Sequence, residues 1–99
     1  MARDGFEEAA DRARRERLDL VSRLERITDI RVWPGSANFS LIEVDDGPAV
    51  VAGLGARAFA VRPATFPGLS DRFIRITARA PQHNKRLVSA LKDVLASPR

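Results

Sequence analysis

The chain has 99 residues, a formal net charge of +4, and 44% apolar and 30% charged side chains, the makeup of one ordinary globular domain with a single modest core. It has no cysteine, which excludes disulfides and thiolate metal sites, and its one histidine, His83, cannot alone form a histidine metal site or a Ser-His-Asp triad. No apolar run approaches the roughly 20 residues that cross a bilayer, so a cytoplasmic protein without membrane contact is expected.

Residues 3 to 28 are predicted to form a long helix. Phe6, Ala10, Ala13, Leu20, Leu24 and Ile27 recur at three- and four-residue spacing, Leu18 and Val21 widen the stripe, and only Arg17 interrupts it. The first half of the stripe is mostly alanine, which buries little area, so its early turns fray or need a partner surface. Residues 1–28 are read as an N-terminal helix and 29–99 as the domain proper. A strand over Ile30, Val32 and Trp33 stops at Pro34-Gly35. A second strand, Asn38 to Val44, puts Phe39 and Leu41 on one face and Ile42 and Val44 on the other, so both faces should be partly covered.

Asp45-Asp46-Gly47 is a turn whose acids suit helix capping better than metal binding. Pro48 opens a short helix through Val50, Val51 and Leu54, with Gly55 at its C′ position. The third strand is expected over Ala58 to Arg62, closed by Pro63, which cannot donate to a ladder. After a Pro- and Gly-containing loop, a fourth strand runs from Arg72 to Ala78, with Ile74 and Ile76 on one face and Phe73, Arg75 and Thr77 on the other. A helix from Pro81 to Ala96 closes the chain, with Leu87, Val88, Leu91, Val94 and Leu95 on one stripe. The order α-β-β-α-β-β-α implies an α+β fold, a small and mostly antiparallel sheet of three or four strands packed against helices.

Two arginines stand where a sheet would hold them. Arg62 ends strand three, and Arg75 lies mid-strand between isoleucines. A guanidinium fixed in an apolar strand must find an anion, and its planar fork suits a carboxylate or a phosphate. On spacing alone the anion is either an internal Asp or Glu or an external ligand, or the arginine simply lies on a solvated sheet face. Plainer readings serve the rest. Trp33 and Phe39 are core or interdomain aromatics, His83 is solvated in the first turn of its helix, and Lys85 and Lys92 are surface residues of that helix.

Four segments carry a family resemblance. Val32-Trp33-Pro34-Gly35-Ser36-Ala37-Asn38-Phe39 resembles the "V-x-P-S-x-A-N-F" stretch that opens the small domain of histidinol-phosphate aminotransferases and their cobalamin-pathway relatives. Ala60-Val61-Arg62-Pro63 is similar to their "V-R-P", and Phe73-Ile74-Arg75-Ile76-Thr77 to their "L-R-I-T". The helix from Pro81-Gln82-His83-Asn84 through Arg86-Leu87 to Ala90-Leu91 resembles their closing "P-E-x-N-x-R-L-x-x-A-L". One departure is Ala78-Arg79-Ala80-Pro81, where the aminotransferases have "V-G-T-P". With the loop Thr65-Phe66-Pro67-Gly68-Leu69, it looks more like the branch related to threonine-phosphate decarboxylase.

The resemblance implies the C-terminal small domain of a fold-type-I pyridoxal-phosphate enzyme. It implies that Arg75 clamps the carboxylate of a phosphorylated amino acid, that Arg62 helps hold its phosphate, and that the route served is cobalamin biosynthesis. It further implies that the helix of residues 1–28 is a connector from a large domain. The cofactor lysine would belong to that large partner domain, so this chain is expected to hold no cofactor and to be inactive alone, with an exposed interdomain face that favours self-association. Two rivals are an independent ferredoxin-like ligand-binding or interaction module and a histidinol-phosphate aminotransferase piece in histidine biosynthesis. A nucleic-acid binder is set aside because the arginines are interleaved with acids, as in Asp11-Arg12, Glu16-Arg17 and Glu25-Arg26, the pattern of a solvated face.

Overall fold

A computed structural model of the chain describes residues 5–35, 38–64 and 67–97, residues 5–7 by their backbone alone. Its elements run α1 (Gly5–Leu24), β1 (Arg31–Trp33), β2 (Phe39–Glu43), α2 (Gly47–Ala56), β3 (Arg62–Pro63), β4 (Phe73–Thr77) and α3 (Pro81–Ala96). The strands form one sheet in the order β1-β2-β4-β3, antiparallel throughout. The expected α+β architecture and element order are those observed.

Strand alternation decides where the core lies. Ser40 faces Ile76 and Ile42 faces Ile74 across the β2–β4 ladder, and all four are fully buried. That face of the sheet meets Leu20 and Leu24 of α1, Val50 and Leu54 of α2, and Leu87, Val88 and Leu91 of α3 in one cluster. The alternate residues form the opposite face. There Trp33 faces Leu41, Leu41 faces Arg75, and Arg75 faces Arg62, a row across all four strands whose members are half-buried or exposed.

The first helix is shorter than its periodicity suggested. It ends at Leu24, and only its second half reaches the core, with Leu20, Val21 and Leu24 buried. Ala10 is exposed, and Leu18, expected to widen the stripe, is 55% exposed; Phe6 lies outside the described side chains. Arg17 interrupts the stripe for a reason, since its Nη1 donates to the Gly35 carbonyl at 2.7 Å and ties α1 to the segment after β1.

Asp46 caps α2 as expected, its Oδ1 accepting from the Ala49 N–H at 3.1 Å. The far end differs. Gly55 is inside the helix, Arg57 is the C-cap, and Ala58 takes the C′ position with φ 67°. The Ala58 N–H donates to Gly55 O and the Phe59 N–H to Leu54 O, the paired bonds of a Schellman motif. The left-handed turn carries the chain away from the sheet, so the third strand shrinks from the expected Ala58–Arg62 to Arg62–Pro63. Pro63 is within the strand rather than beyond it. It sits opposite Ile74, and the next donor, the Ala64 N–H, makes the bond to Phe73 O at 3.0 Å.

Candidate functional site

The register brings the two sequence-singled arginines together. Arg62 and Arg75 are directly opposite on adjacent antiparallel strands, so their side chains leave the same face of the sheet. Both are exposed, and among the described residues neither pairs with an acid. The Arg75 guanidinium lies 4.6 Å from the centre of the Phe39 ring, a cation–π contact that steadies the group without neutralising it. The internal-acid alternative is thereby removed for both.

The short β3 pairs only with Ile74 and Arg75, which leaves the rest of the β4 edge open. A pocket of about 510 Å³ occupies that gap, and Arg62, Arg75, Thr77, Arg79, His83 and Phe59 line it. Three of these follow from period: residues 75, 77 and 79 share a face of the strand and its continuation. Arg79 and His83 had no assigned role in the sequence, although that i, i+2, i+4 spacing was a signal available there.

His83 is half-buried, not solvated. Its ring stands edge-on to Phe59 with centroids 5.5 Å apart, and its Nδ1 is buried with no hydrogen-bond partner. Burial holds the imidazole below its ordinary range, and the positive charges of Arg79 and Arg86 push it the same way.

Asn84, one residue on, is fully buried and joins three segments. Its Oδ1 accepts from the Arg79 N–H at 2.9 Å, while its Nδ2 donates to Glu16 O at 3.1 Å and to Asp19 Oδ2 at 3.0 Å. Burial pushes the Asp19 carboxyl up, but hydrogen bonds from Arg23 and Asn84, with the Arg23 charge, outweigh it and leave the group below the usual range. The arginine-bearing loop before α3 is thus fastened to α1.

The remaining candidates fall elsewhere. Lys85 and Lys92 are exposed and line a different groove from that of Arg62 and Arg75, together with Arg23 and Arg26. On that open, arginine-flanked groove neither fits a covalent cofactor anchor. Asp45 pairs with Arg72 at 3.5 Å, and among the described residues no group of acids or histidines could hold a metal ion. Trp33 is 48% exposed, so it is not a core aromatic. No helix among the described residues is long and apolar enough to cross a membrane.

No protein-family model matches the chain. It is 36% identical over 91 residues to histidinol-phosphate aminotransferase 2 of Archaeoglobus fulgidus, an alignment covering 92% of this chain and 26% of that protein. The histidinol-phosphate aminotransferase from Clostridium acetobutylicum matches in structure with a TM-score of 0.79 at 29% identity, over 89% of this chain and 28% of that one. The chain is a C-terminal small domain of the fold-type-I pyridoxal-phosphate enzyme family. L-threonine-O-3-phosphate decarboxylase from Porphyromonas gingivalis has the same fold for this domain, with a TM-score of 0.81 at 24% identity, over 88% of this chain and 28% of that one. The small domain spans about a quarter of the length of the curated relatives it matches.

Proposed function

We propose that this small domain closes over the substrate of a pyridoxal-phosphate-dependent aminotransferase or decarboxylase and grips both its anions, Arg75 the carboxylate and Arg62 the phosphate. The observation that carries the reading is the in-register Arg62–Arg75 pair, neither of which is paired with an acid among the described residues. Like charges directly opposite on a sheet are destabilising, and an anion between them reverses that sign. A substrate with a negative group at each end would be held at two points and so fixed in orientation as well as position. The large domain of such an enzyme would supply the cofactor and its lysine, with α1 as the connector, and the row from Trp33 to Arg62 would face that domain. The isolated chain would bind and orient without turning over.

Within the family, Ala78-Arg79-Ala80-Pro81 favours a phosphorylated amino acid such as threonine phosphate, in cobalamin biosynthesis. A second reading, transamination of histidinol phosphate, is favoured by the curated relatives in sequence. The test is to join the chain to a matching large domain and assay both substrates. Carbon dioxide released from O-phospho-L-threonine supports the first branch, and amino transfer involving histidinol phosphate supports the second. Arg75→Ala should lower decarboxylation of O-phospho-L-threonine roughly a hundredfold, since it removes a charge-assisted bidentate contact to the carboxylate. Histidinol phosphate has no carboxylate, so its amino transfer is affected only through the carboxylate of the oxo-acid partner. Activity that survives the change undiminished rejects the clamp.

A further inference from the structure

The two-point clamp leaves charge uncompensated. Against the single positive charge of Arg62, a phosphate monoester near neutral pH carries about −1.5 to −2, so the phosphate end stays under-balanced even where the substrate's ammonium offsets its carboxylate. The same pocket holds a third guanidinium. Arg79 lines it beside Arg62 and Arg75 and, among the described residues, pairs with no acid. Its backbone is no loose surface turn, because its N–H is held by the fully buried Asn84, itself tied to Glu16 and Asp19 of α1. Arg79 and His83 line the pocket together.

We propose that Arg79 is the third anion ligand of this pocket and a residue that selects phosphorylated over unphosphorylated substrates. The proposal rests on the clamp reading above. With Arg75 on the carboxylate, Arg62 and Arg79 together match a phosphate dianion, and both are in excess for a substrate with a carboxylate alone. Burial, Arg79 and Arg86 all disfavour the cationic form of His83, so it is a weaker competitor for the anion than the arginines. The other charged groups lining the space with it are Arg62 and Arg75, both positive.

His83 is also the chain's one histidine, and so a built-in reporter. The experiment follows its ring resonances by NMR in the full 99-residue chain while O-phospho-L-threonine, inorganic phosphate or L-threonine is added at constant ionic strength. Arg62→Gln, Arg75→Gln and Arg79→Gln are compared with the unaltered chain, and Arg79→Lys keeps the charge without the fork. Both phosphate-bearing ligands should shift His83 in the unaltered chain. Arg79→Gln should weaken O-phospho-L-threonine roughly three- to tenfold, the exposed end of the range for a charge-assisted bond, and leave L-threonine unchanged. Arg79→Lys should recover part of the loss. If Arg62→Gln and Arg75→Gln weaken the phosphorylated ligand while Arg79→Gln does not, the third-ligand proposal is wrong and the clamp stands. If only Arg79→Gln matters, the clamp is wrong and Arg79 stands as an anion ligand. No shift of His83 by either phosphate-bearing ligand, up to the limit of solubility, overturns both.

Discussion

Asn84 is the residue on which the arrangement of the pocket turns, and its worth can be stated. Replacing it with leucine would strip the part-buried Arg79 N–H, the Glu16 carbonyl and the Asp19 carboxylate of partners they cannot all regain from water. Asn84→Leu should therefore destabilise the chain by about 2–3 kcal/mol, read from the urea midpoint at unchanged slope. His83 gives a second, pH-dependent signature. Its folded pKa lies below the unfolded value of 6.5, so between the two the unfolded chain binds the extra proton. Stability from this group is full above about pH 6.5, falls as pH drops toward the folded midpoint, and is flat below it. Urea melts at intervals across that range should show the slope in the native chain and lose it in His83→Gln. The sequence exposed Arg62 and Arg75 because a permanent charge in an apolar strand demands an explanation. It hid the burial of His83, because the ring's neighbour, Phe59, is delivered by a left-handed alanine that no propensity predicts.

At the level of elements, α2 carries a glycine and an alanine in exchanged places. Gly55 is in ordinary helical conformation with open space where a Cβ would stand, while Ala58 occupies the left-handed C′ position that favours glycine. Gly55→Ala should stabilise by about 0.5–1 kcal/mol through lost unfolded-state entropy and better helix propensity. Ala58→Gly should stabilise by about 0.5 kcal/mol, the relief of left-handed strain being partly offset by the flexibility gained on unfolding. Thermal melts of the two single variants and the double check both signs. The glycine that does belong where it stands is Gly47, whose added Cβ would run into the backbone carbonyl of Asp71. These particulars explain why the element order was readable while the ends of α1 and α2 and the start of β3 were not. Period-2 and period-3.6 patterns marked β2, β4 and α3 within a residue or so, since their buried faces are continuous. A glycine drew the expected end of α2 to itself, and the run Ala58 to Arg62 looked extended when only its last residue pairs. The N-terminal half of α1 has a helical pattern but little to bury, so its stripe overstated the reach of the core.

For the whole molecule, the sheet divides the labour. One face is consumed by three helices and supplies the stability, and the other keeps Arg75 and Arg62 side by side at the cost of their mutual repulsion. That cost makes the fold responsive to anions. A ligand that binds only the folded state adds RT ln(1 + [L]/Kd), so for a Kd on the order of 10 mM, a tenfold excess of phosphate over Kd stabilises by about 1.4 kcal/mol. In a domain of this size such a gain raises Tm by about 6–10 °C. Chloride at matched ionic strength screens the same repulsion without bridging the two guanidinium groups, and its effect should be much smaller. Arg62→Gln should itself raise Tm slightly in chloride by removing the repulsion, and at the same time abolish most of the phosphate increment. The opposite movements of one variant separate a bound anion from general screening. Equal increments from phosphate and chloride, or a phosphate increment that Arg62→Gln leaves intact, would mean that the paired arginines hold nothing between them.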